Sequence, residues 1–132
     1  MNIEKHKEKL KESLELIDES IRFGVEKRQR TIGFNTSMAS VDMLEIYLHM
    51  LNLIDPGFVV KHEWFKSKNK IKEKFPYDFE GKEIIFKLIF EIEQQRDSLC
   101  YGIPKTKEEI INTLQKFNEL KMKFKKLGVQ IG

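Results

Sequence analysis

Apolar residues recur every three or four positions through four long stretches of this chain, and no stretch of comparable length alternates apolar with polar residues. A helical period without a strand period points to an all-α fold. Ile3, Leu10, Leu14, Ile17, Ile21 and Val25 predict a first helix over residues 2–28. Phe34, Met38, Val41, Leu44, Leu48 and Leu51 predict a second over residues 31–54, stopped by Asp55-Pro56-Gly57. Arg28-Gln29-Arg30 holds no turn residue, so these two helices are expected to be nearly continuous, with Gly33 the weak point. Residues 58–80 read as one or two short helical turns and a loop bracketed by Pro76 and Gly81. Ile85, Leu88, Ile89, Ile92 and Leu99 predict a third long helix over residues 82–100, ended by Gly102-Ile103-Pro104. Thr106 and Glu109 have capping-box spacing ahead of a last helix, which carries Ile110, Leu114, Phe117, Leu120 or Met122, Phe124 and Leu127 and stops at Gly128.

Four long helices joined by short connections predict an antiparallel four-helix bundle, with one or two extra helical turns in the middle connection. At 132 residues the chain is expected to be one domain, residues 1–132. Ile17, Leu44, Leu48, Ile89, Ile92, Leu114 and Phe117 are expected in a single core. A lone cysteine, Cys100, excludes a disulfide framework and a cysteine-based zinc site, and reads as a buried small hydrophobe. The polar N-terminus and the lack of any run of about 18 apolar residues argue against secretion and membrane spanning, so the cytoplasm is the expected compartment. A net charge of +3 permits nucleic-acid contact without demanding it. Lysine clusters within residues 61–74 and 116–126 could neutralise phosphates or could simply be solvated. Phosphate-cradling glycine loops and nucleophile or zinc-protease motifs are absent, and neither a metal nor a cofactor is expected.

One residue breaks the pattern. The apolar stripe of the third helix runs Ile85, Ile89, Ile92, Arg96, Leu99, so an arginine stands where the spacing asks for a leucine. A buried guanidinium without partners costs several kcal/mol, on the order of other unpaired buried ions. Arg96 must therefore be paired, lie at an oligomer interface or line a polar cleft. Asp97 follows it directly, and Tyr101 lies about 140° further round the helix by ideal geometry. On the second helix Asp42, Glu45 and His49 share one face. That triplet could bind a ligand, hold a metal or act as an acid–base group, or it could be a plain solvated face. His62 reads as a hydrogen-bonded structural histidine, with a catalytic role the alternative. His6, among lysines and glutamates, is expected to face solvent.

The run Arg96-Asp97-Ser98-Leu99-Cys100-Tyr101-Gly102 near the end of the third long helix of a four-helix pattern resembles the HEPN superfamily (higher eukaryotes and prokaryotes nucleotide-binding). Its motif has the form Arg-[Asn/Asp]-x-x-x-[His/Tyr]. The resemblance implies a homodimer with the motif across its cleft and binding of RNA or a nucleotide. It also implies Arg96, Asp97 and Tyr101 as the residues of a metal-independent ribonuclease in active members, and a minimal nucleotidyltransferase as partner in a toxin–antitoxin pair. Two positions depart from the pattern. Tyr101 stands where the catalytic histidine would be, and a phenol of reference pKa ~10 is a poor base at neutral pH. Ile103 stands where the family carries a tyrosine that accepts a transferred nucleotide. Arg96 and Tyr101 keep their suitability for phosphate contact and base stacking. The expectation therefore shifts from nuclease toward nucleotide- or RNA-binding domain, with the ribonuclease toxin and a ligand-free structural adaptor as alternatives.

Overall fold

The computed structural model describes residues 3–131, and among these there is no strand. The helices are α1 (Ile3–Phe23), α2 (Gln29–Met50), α3 (Lys68–Lys74), α4 (Lys82–Tyr101) and α5 (Lys107–Lys126), with a 3-10 turn at His62–Lys66. None is long and apolar enough to cross a membrane. Several boundaries follow from local chemistry. Thr106 Oγ1 accepts the Glu109 amide at 3.2 Å and opens α5 where the capping box predicts. The Ser67 hydroxyl accepts the Lys70 amide and opens α3 in the same way.

The first boundary departs from expectation. α1 stops at Phe23, five residues short of the predicted end, because Gly24 takes φ +118°, a conformation that side-chain-bearing residues rarely adopt. The chain turns through residues 25–28 and restarts at Gln29, so α1 and α2 are separate helices. Gly33, expected to be the weak point, instead lies inside α2 where it packs tightly against α4. A Cβ there would sit 2.6 Å from Leu99 Cβ and 3.2 Å from Cys100 Sγ.

Gly33→Ala therefore sets overpacking of about 1–3 kcal/mol against a helix-propensity gain of about 1 kcal/mol. The contact atom is a Cβ fixed to the backbone, not the free end of a side chain, so overpacking wins. The variant is expected to melt below wild type in a thermal scan. Melting at or above wild type would show that α2 and α4 part at little cost.

α2 is the central element, packed against α1, α4, α5 and the 3-10 turn. Residues 39–48 are all buried, polar ones included. Of the buried polar residues of α2, Asn35, Thr36 and Ser40 donate to carbonyls four residues back, those of Thr31, Ile32 and Thr36, at 2.8, 2.8 and 2.6 Å. The main core holds Ile17, Leu44, Leu48, Ile89, Ile92 and Phe117 as expected, with Leu114 half-buried against it. The middle segment is pinned by its aromatic residues. Phe65, Phe75 and Phe86 pack with ring centroids 5.0–6.0 Å apart. A smaller cluster of Val25, Ile32, Leu99 and Ile110 closes the end of the molecule where α2 begins and α4 ends.

Candidate functional site

Arg96 is 8% exposed and turns inward toward α2. Its Nη1 donates to Ser37 Oγ at 3.0 Å, and the Ser37 hydroxyl donates to Glu93 Oε2 at 2.9 Å. Glu93, 3% exposed, also accepts from His62 Nδ1 through Oε1 at 2.8 Å. The other His62 nitrogen lies 2.9 Å from Glu63 Oε1, so His62 is hydrogen-bonded as expected. Among the described residues Arg96 makes no direct ion pair. Its charge is balanced one hydroxyl away, by Glu93. On its other side the guanidinium lies 4.9 Å from the centroid of the Phe34 ring, close enough for a cation–π contact.

The rest of the motif faces outward. Asp97 is exposed, with its Oδ2 3.0 Å from Lys66 Nζ. Tyr101 is 76% exposed. Arg96 and Tyr101 thus diverge: one is held inside the fold and the other presents its ring to solvent at the end of α4. Cys100 is buried, its thiol directed at the Arg30 carbonyl, and burial pushes its pKa up.

Gln29, which the sequence reading passes over, organises this end of the molecule. Its Nε2 donates to the carbonyls of Leu99 and Ile103 at 3.1 and 3.2 Å, and its Oε1 accepts the Lys105 amide at 2.7 Å. One side chain thereby ties the start of α2 to the loop after α4. Beside it opens a groove of about 720 Å³ whose lining includes Lys27, Arg28, Arg30, Phe34, Gly102 and Pro104. Three cations stand against one carboxylate there, that of Glu26. Phe34, 47% exposed, lines the groove and is also the ring beneath Arg96.

Asp42, Glu45 and His49 do not form a solvated face. Asp42 and Glu45 are buried and His49 is largely covered, because α1 lies across this side of α2. The residue that α1 brings is His6, expected at the surface and found buried. His6 Nδ1 donates to Asp42 Oδ1 at 2.9 Å, while Nε2 faces Glu45 Oε2. Burial alone pulls the His6 pKa down, but the hydrogen bonds and negative charge of Asp42 and Glu45 outweigh it and raise it to about 9. Burial raises the Asp42 pKa, although His6 opposes it, and burial lowers that of His49. Glu45 Oε1 accepts the Val60 amide at 2.8 Å, which fastens the middle segment to α2.

Signals for two of the missed residues were present. His6 is three residues after Ile3 and four before Leu10, on the buried stripe of α1. Glu93 lies three residues before Arg96, which on a helix is the same face.

Comparison of the chain with protein-family models, with curated proteins and with solved structures gave no match.

Proposed function

We propose that this chain is a HEPN-like nucleotide- or RNA-interacting domain, built as an antiparallel four-helix bundle and acting in the cytoplasm as a homodimer. The observation that carries the reading is the basic groove at the end of α4. Lys27, Arg28 and Arg30 line it together with Phe34, whose ring also meets Arg96. Cations beside an exposed aromatic ring suit a phosphate backbone and a stacked base. In this reading Arg96 acts from beneath, holding the Phe34 ring, while Tyr101 offers a second surface ring nearby in sequence. By the same resemblance, a minimal nucleotidyltransferase is the proposed protein partner in a toxin–antitoxin pair.

The ribonuclease alternative relies on Arg96, Asp97 and Tyr101, and geometry disfavours it. Asp97 is engaged by Lys66, Arg96 is enclosed and Tyr101 is a phenol, so no group of the motif is placed to take a proton from a ribose 2′-hydroxyl at neutral pH. RNA cleavage by wild type, Arg96→Ala and Tyr101→His, with and without EDTA, separates the readings. Weak or absent cleavage by wild type is expected. Robust EDTA-resistant cleavage that disappears in Arg96→Ala would establish the ribonuclease instead.

A further inference from the structure

We propose that His6, Glu45 and His49 form a binding site for a divalent transition-metal ion of the zinc class, with Asp42 orienting His6 within it. Glu45 and His49 are one helical turn apart on α2, and His6 is brought to them by α1. One donor atom from each of the three lies within 4.8 Å of the other two. Asp42 Oδ2 and His49 Nε2 are buried with no hydrogen-bond partner among the described residues, and beside them His6 Nε2 and Glu45 Oε2 meet only each other. Native folds seldom leave such atoms orphaned, and an unfilled ion site is one physical reason for it.

His6 Nε2 and Glu45 Oε2 face each other closely, and an ion bound between them would take the place of the proton they share. Two imidazoles and one carboxylate are donors suited to zinc, cobalt, nickel or copper, whereas magnesium and calcium favour all-oxygen sets.

The surrounding contacts fit the same role. Asp42 Oδ1 accepts from His6 Nδ1 at 2.9 Å, which would leave Nε2 as the ligating nitrogen once an ion displaces its proton. Val60 N–H holds Glu45 Oε1 at 2.8 Å and leaves Oε2, which faces His6 Nε2, as the oxygen that would ligate. Ligands of a tetrahedral zinc ion stand about 3.3 Å apart, given bonds of about 2.0–2.1 Å. Binding would therefore move His6 Nε2 and Glu45 Oε2 apart and bring the wider donor separations in from their limit of 4.8 Å. The ion would clip α1 to α2 and displace any proton held between His6 and Glu45.

The test uses the full chain, free of any histidine tag, stripped with EDTA and dialysed. Titration with zinc chloride, followed by calorimetry, is expected to show one equivalent bound. Cobalt(II) is expected to give intense visible bands of a tetrahedral site without a thiolate charge-transfer band, since Cys100 lies elsewhere. His49→Gln is expected to remove the site, and Asp42→Asn to weaken binding about 10–100-fold as a lost orienting carboxylate does. Should either variant fail to fold, the wild-type cobalt spectrum still decides. Absence of stoichiometric uptake, an octahedral spectrum, or zinc affinity unchanged in a folded His49→Gln variant would overturn the proposal.

Discussion

Glu93→Ala is expected to lower folding stability by about 3–5 kcal/mol, the cost of breaking a buried ionic network by removing one partner. The carboxylate is 3% exposed and accepts from both Ser37 and His62. Without it, the Arg96 charge is left in the interior with a neutral hydroxyl and one ring face. Asp97→Ala, only four residues on, should change stability by less than about 1 kcal/mol, because its pair with Lys66 is exposed on both sides. Urea denaturation reads both variants, with equal slopes confirming that the midpoint shift reports stability. A Glu93→Ala midpoint close to that of Asp97→Ala would mean that Arg96 does not depend on Glu93.

The helix pattern was legible where one face of a helix is buried and the other wet. That holds for α4 and α5, whose boundaries lie within a residue or two of the periodicity, and for the Thr106 cap. At α2 the helix was legible but its buried face was not, because a helix covered on most sides has little polar face to read. Its apparent stripe was misleading: Phe34 and Leu51, on the expected stripe, are exposed, while the polar residues Ser37, Asp42 and Glu45 are buried. The break after α1 is set by the positive φ of Gly24, which the apolar period running on through Ile21 and Val25 conceals.

The arginine in an apolar stripe was readable as an anomaly, but its resolution was not. Ser37 and Phe34 are about sixty residues away in sequence, and only the packing of α2 on α4 brings them to Arg96. The acid–histidine cluster was half visible. Asp42, Glu45 and His49 could be grouped by helical spacing, but no local pattern joins them to a residue on α1. The groove escaped for the same reason. Its cations lie in the turn after α1 and at the start of α2, and its far wall is Gly102 and Pro104 after α4, joined to it through Gln29.

The second large effect concerns that groove. Each phosphate-contacting cation that is removed should weaken binding and flatten its salt dependence, since fewer counterions are released. An aromatic platform stacked on a base contributes about 1–3 kcal/mol, so Phe34→Ala should cost about 5–150-fold in affinity. Arg28 and Arg30 are exposed and Arg28 rests on the Phe23 ring, so replacing both should leave the fold intact.

The most direct measurement is fluorescence anisotropy of a labelled single-stranded oligoribonucleotide titrated with the chain over a range of salt concentrations. Wild type is expected to bind with affinity that falls steeply with salt. The double variant Arg28→Ala/Arg30→Ala should bind more weakly with a slope shallower by about 2, and Phe34→Ala should bind more weakly with the slope unchanged. No binding by wild type, or binding indifferent to all three substitutions, would contradict the nucleic-acid reading and leave a structural helical adaptor in its place.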